Sequence, residues 1–246
     1  MIGTDVVRLV APVLFASVAF ATDAPISAPQ SAFDEGRYLE AAELAEALGT
    51  SDGLALAAEA LAVYGHFVAP EGEKVPILER ANQLAGRAVA LDETNAEARF
   101  QLSHAMARYA QSIGPAKALR QGYVGRSRES IEAVLELDPD MAAACLSLAS
   151  WHADVVAGVG RLLGRTVYGA TVGAAIENYE RTLELAPDEK VAHYEFGRGL
   201  LAIGGRKHRD RARSLLTRAV ELPAGNHFDG LIHELALAEL ATLDRR

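Results

Sequence analysis

The sequence predicts an all-α fold built from repeated antiparallel helix pairs, and three observations carry that prediction. Alanine and leucine are abundant while aromatic residues make up 6% of the chain, a balance that favours helices packed through small side chains over sheets of β-branched and aromatic ones. A short phrase recurs four times, as Val89-Ala90-Leu91-Asp92, Leu135-Glu136-Leu137-Asp138-Pro139, Leu183-Glu184-Leu185-Ala186-Pro187 and Val220-Glu221-Leu222-Pro223, each reading as the end of a helix. Upstream of each leucine anchor lies the same stripe at helical spacing. It holds Ala81, Ser127, Ala175 or Ala212, then Ala85, Ile131, Tyr179 or Leu216, then Ala88, Val134, Thr182 or Ala219, and such a stripe must face a neighbouring helix. Half of the 246 residues are hydrophobic, enough to bury a sizeable core.

In chain order, residues 1–8 carry one basic residue, residues 9–20 are apolar, and Ala19 and Ala21 flank Phe20 as the small residues a signal peptidase reads. Residues 1–21 are therefore expected to be a signal peptide cleaved after Ala21, which places the mature protein in the periplasm or outside the cell. Pro12 and an apolar length below the roughly 20 residues that span a bilayer argue against a membrane anchor, so no stable membrane insertion is expected after cleavage. Residues 22–32, with Pro25 and Pro29 among small residues, read as a flexible lead-in, and 33–246 as the helical domain. Gly36, Tyr38, Ala41 and Ala45 suggest a lone second helix at its start. The stripes then mark the second helix of each pair. The helices that follow them open at Ala98, Ala144 and Ala192, with Leu102, Leu148 and Phe196 four residues on and the small Ser103, Ala149 and Gly197 directly after.

This pattern of small and large apolar positions, closed by an acidic residue and proline, resembles the tetratricopeptide repeat over most of residues 33–243. The resemblance implies a right-handed α-solenoid of about ten helices, each pair covering the apolar face of the last. It also implies a non-catalytic scaffold that binds a protein or peptide partner through its concave face. The spacing departs from the family. Leu91 to Leu137 is 46 residues, Leu137 to Leu185 is 48 and Leu185 to Leu222 is 37, against a family period of about 34. The excess falls within pairs, at 111–126 and 156–171, where additions to a repeat framework often form a binding rim. Exported forms with such insertions are similar to accessory components of TRAP-type solute transporters, which implies a small organic ligand as the alternative. The long period is also similar to the helical domain of the regulator-of-microtubule-dynamics family.

The insertions hold the candidate binding residues. Ser112-Ile113-Gly114-Pro115 should break a helix, and beyond it Lys117, Arg120, Arg126 and Arg128 are joined by Arg161 and Arg165 of the second insertion. Guanidinium groups pair bidentately with carboxylates, so these arginines read either as a rim for an acidic peptide or carboxylate, or as solvated side chains paired with local glutamates. Val167, Tyr168 and Val172 could line an apolar pocket against the helix that carries Trp151, or belong to the core. The run Arg206-Lys207-His208-Arg209, with Arg211, Arg213 and Arg218, reads as a solvated helix face with acidic partners such as Asp210 or Glu221.

Other chemistry finds little support. His104, His152 and His193 stand at different offsets from their anchors, and no HExxH, GxSxG or paired-carboxylate motif occurs, so no enzyme is expected. The glycines from Gly158 to Gly173 lack a preceding strand and a Gly-Lys-Ser/Thr ending, and no cofactor or metal is expected. A net charge of -9 repels nucleic acid and anionic lipid at long range, so neither is an expected partner. The single Cys145, between Ala144 and Leu146, reads as an inert core thiol.

Overall fold

A computed structural model describes residues 26–245, and the array is helical throughout, with no strand among the described residues. The helices are α1 (Ser27–Asp34), α2 (Tyr38–Ala47), α3 (Ser51–Val63), α4 (Lys74–Leu91), α5 (Ala96–Ser112), α6 (Pro115–Arg120), α7 (Tyr123–Leu137), α8 (Ala142–Val159), α9 (Arg161–Leu163), α10 (Val172–Leu185), α11 (Lys190–Ile203), α12 (Arg206–Glu221) and α13 (His227–Asp244). Leaving out the short α6 and α9, eleven helices among the described residues stand against the ten or so expected.

They stack in two layers. The outer helices α2, α4, α7, α10 and α12 bury only a stripe, whereas the inner helices α3, α5, α8 and α11 are buried almost all round, α3 from Gly53 to Val63 without a break. The stripe read from the sequence is what the outer helices bury: all twelve of its positions are inside. The leucines that anchored it behave differently. Leu91 and Leu137 are 58% and 44% exposed, Leu185 is half-buried, and only Leu222 is buried. Gly197 explains the small position on an inner helix, since a Cβ there would stand 2.8 Å from the Leu216 side chain of α12. Helix α8 is apolar and long enough to cross a membrane, but 78% of it is buried as the central core helix.

The start of the domain differs from expectation. α1 begins at Ser27, so the flexible lead-in reading is corrected for residues 27–32, while its part at 22–25 lies outside the described residues; Pro29 falls in the first turn, where a missing backbone N–H costs no intrahelical bond. The signal-peptide reading falls on residues 1–21, outside the described residues.

The array also closes on itself. His227 at the start of α13 meets the first helix pair, with Tyr38 Oη 3.0 Å from His227 Nδ1 and the imidazole packed against Gly36, whose φ of +80° and lack of Cβ make room for it. Phe67, in the π-helical turn Tyr64–Val68 that extends α3, packs edge-on against Phe228 of α13 at 5.6 Å. The concave face is thus folded in rather than left open along its length.

Candidate functional site

Folding in the concave face buries charge. On α5, Arg108 is 2% exposed and its hydrogen-bond partners are neutral groups: Nε donates to His104 Nε2 at 3.2 Å, and Nη1 lies 3.0 Å from His66 Nε2 and 3.4 Å from Gln111 Oε1. Its guanidinium also lies over the Phe67 ring at 5.4 Å. Burial lowers the Arg108 pKa to about 10. Burial, and then the Arg108 charge, push His66 down to about 2 and hold His104 well below the ordinary histidine value, so both rings are neutral acceptors near pH 7.

On α11, Arg198 bridges two buried carboxylates. Nε donates to Glu195 Oε2 at 2.7 Å, and Nη1 reaches Asp154 Oδ1 of α8 at 3.3 Å. Burial works against the Arg198 charge, but Asp154 and Glu195 outweigh it and raise its pKa well above the usual value. Arg198 thus joins α8 and α11 through buried charge, and the charges of Glu195, Arg198 and Asp154 act on Arg108 of α5.

The Asp154–Arg198 pair reaches solvent through a cleft of about 980 Å³, which lies between the ends of α8, α11 and α13 and the start of α12. Asp154 and Arg198 line it, with Leu200, Leu201 and Leu243 as apolar wall and Arg206, Arg209 and Glu239 as its remaining charged groups. Charged side chains share its wall with the leucines, unlike the apolar channel expected of a carrier of hydrophobic ligands. α12 begins after Gly205 with no side-chain cap, so its first backbone N–H groups add positive potential at the cleft.

The insertions take the form the sequence indicated. α5 stops at Ser112, α6 follows from Pro115, and α7 restarts at Tyr123 after Gly122 turns with a φ of +71°. After α8, the three-residue α9 runs into the π-helical turn Gly164–Tyr168, and α10 starts at Val172, capped by the Thr171 side chain. Arg128, just past the first insertion, meets the second, its Nη1 donating to the Tyr168 carbonyl at 2.9 Å.

No family model and no curated protein matches the sequence. Solved structures do match. TTC0263, a thermophilic TPR protein from Thermus thermophilus, superposes with a TM-score of 0.61 at 16% identity, over 87% of this chain and 97% of that one. MamA matches with a TM-score of 0.42 at 18% identity, over 82% and 95% of the two chains. The fold is that of the tetratricopeptide repeat.

Within this repeat fold, the residues singled out in the sequence divide. Arg120, Arg161 and Arg165 are exposed, and none forms an ion pair among the described residues. Arg126 is exposed with its guanidinium 5.1 Å from the Tyr123 ring centroid. Arg128 is half-buried and spent on structure, paired with Glu132 at 2.8 Å and lying over the Trp151 ring, so among the insertion arginines described it alone follows the local-glutamate reading. Trp151 is a correction. It is fully buried with Nε1 donating to the Val124 carbonyl at 2.9 Å, and it offers no surface to a ligand. Tyr168 is half-buried and Val167 is 63% exposed, so Val167 is turned to solvent rather than lining a wall against Trp151. The histidines stand apart: His152 Nδ1 accepts from Thr171 N, and His193 Nε2 lies 2.8 Å from the Pro187 carbonyl. No group of three or more His, Cys, Asp or Glu that could hold a metal occurs among the described residues. Cys145 is buried, and burial raises its pKa.

The basic run on α12 also divides. Arg211, Arg213 and Arg218 pair with Glu180, Asp244 and Asp188 on other elements, not with Asp210 or Glu221 as the sequence suggested. Arg206 and Arg209 have no such pair among the described residues and line the cleft. Sequence reasoning missed the cleft and the interior beneath it. A signal was present, since Arg108, Asp154 and Arg198 are charges set among small and apolar residues on inner helices.

Proposed function

We propose that this protein is a non-catalytic scaffold that binds a peptide segment of a partner protein at the cleft between α8, α11, α12 and α13, outside the cytoplasm. The observation that carries this is the lining: two cations without ion pairs among the described residues, Arg206 and Arg209, beside the Asp154–Arg198 pair and a leucine wall. Such a lining suits a segment carrying both a carboxylate and an apolar side chain. The export reading rests on residues 9–21 of the sequence. A second reading is favoured by size, because about 980 Å³ is near the top of the range for small-molecule sites, so a small organic ligand could occupy the same cleft.

Native mass spectrometry of the protein purified gently from its own host tests both. Retention of a peptide or protein, lost in the Arg206→Glu/Arg209→Glu variant, supports the scaffold. A retained small molecule lost in the same variant establishes the second reading. A bound mass that survives the charge reversal overturns the placement in the cleft.

A further inference from the structure

The two insertions have a composition the rest of the chain lacks. Residues 111–126 and 156–171 contain Lys117, Arg120, Arg126, Arg161 and Arg165 and no acidic residue, inside a chain of net charge -9. Elsewhere outer-helix arginines outside the cleft find carboxylates: Arg80 and Arg87 share Glu46, and Arg181, Arg211, Arg213 and Arg218 each have a partner, whereas Arg206 and Arg209 line the cleft. Lys117, Arg120, Arg161 and Arg165 are exposed and form no ion pair among the described residues.

Among these cations stand large apolar side chains turned to water. Leu119 is 55% exposed, Leu162 75%, Leu163 54% and Val167 63%, four of the five most exposed large hydrophobic residues described. Arg161 and Arg165 lie four residues apart and share one side of their turn, with Leu162, Leu163 and Val167 beside them. None of these residues lines the cleft. Apolar tips flanked by cations that have no local partner are complementary to a surface that is negative outside and apolar just beneath, which is an anionic lipid bilayer; a protein partner would need an acid-ringed apolar pit for each tip.

We infer that the insertions dock this protein peripherally on an anionic bilayer, with Leu119, Leu162, Leu163 and Val167 in the headgroup boundary and Lys117, Arg120, Arg161 and Arg165 against lipid phosphates. The net charge opposes only the distant approach, since within a Debye length of about 10 Å the local basic cluster dominates. The inference does not depend on what the cleft binds.

Vesicle flotation of the full chain tests it, with phosphatidylglycerol and phosphatidylcholine in equal parts against phosphatidylcholine alone. All variants keep the same N-terminus, so the apolar residues 9–20 contribute equally to each. Arg161→Glu/Arg165→Glu is expected to lower binding to anionic vesicles by about tenfold or more, and Leu162→Ser/Leu163→Ser by a similar factor, with circular dichroism unchanged. Leu162→Trp should give an emission blue shift on anionic vesicles only. Equal binding to neutral vesicles, undiminished binding by both double variants, or tip-dependent binding of polyglutamate without any vesicle binding would overturn it, the last in favour of an acidic protein partner.

Discussion

The connections that lead from an outer helix to the next inner one differ in chemistry from those that join the two helices of a pair. The outer-to-inner turns are short, and those into α3, α5 and α13 are built for folding, whereas α8 and α11 start without a side-chain cap. Thr50, Asn95 and Asn226 cap α3, α5 and α13 through their side chains, and Asp52, Glu97 and Asp229 place negative charge in the first turn, where it complements the helix dipole. Inside the pairs the rule is reversed. α6, α7, α9 and α12 start from Gly114, Gly122, Gly160 and Gly205, all at positive φ and without a side-chain cap, and Arg161 and Arg206 open two of them against the dipole. Only α10, capped by Thr171, follows the folding rule there. Residues that break local stability rules without compensation mark surfaces kept for something other than the fold.

That contrast can be broken or sharpened by substitution, and the buried charges should give the largest effect. Arg198→Met leaves Asp154 and Glu195 without their shared cation and is expected to cost about 3–5 kcal/mol in urea unfolding. His66 gives a pH-dependent effect. With its folded pKa pushed to about 2 from an ordinary 6.5, the native ring stays neutral while the unfolded chain takes up a proton below pH 6.5, so stability falls as pH drops through that value. His66→Gln keeps an acceptor for Arg108 and should recover up to about 2 kcal/mol of the loss by about pH 5, read from unfolding midpoints across pH. On an outer-to-inner turn, Asn95→Ala removes the cap on Ala98 N and the contact with Asp52, costing about 1 kcal/mol in the same assay. On the insertions, Arg161→Glu/Arg165→Glu should change stability by less than about 0.5 kcal/mol. A cost for that pair matching that of Asn95→Ala would show that the insertion cations serve the fold and would end the distinction.

The repeat was legible because its packing rests on spacing within single helices. The stripe from Ala81 to Ala88 and its three counterparts could be read as buried from periodicity alone, and the insertions could be placed because the phrase recurred too late. Of the candidate residues, the exposure of Arg120, Arg161 and Arg165 follows from their place in glycine-broken segments. Trp151 could not be placed this way, since an aromatic residue at helical spacing has the same signature whether it lines a pocket or fills the core.

By itself the sequence determined the all-helical repeat, the stripe that each outer helix buries, the phrase that ends it and the position and basic charge of the insertions. The helices and turns depend on residues close in sequence, through period, caps and glycine, and the insertions on the interval at which one phrase recurs. Tertiary structure alone decided that α13 returns to the first pair through Tyr38 and His227, that His66 meets Arg108 and Asp154 meets Arg198 in the interior, and that a cleft opens onto that second pair. The reason is geometric: the curvature of a stack accumulates from a small rotation at every helix contact, and no local spacing records where that rotation brings the distant ends together.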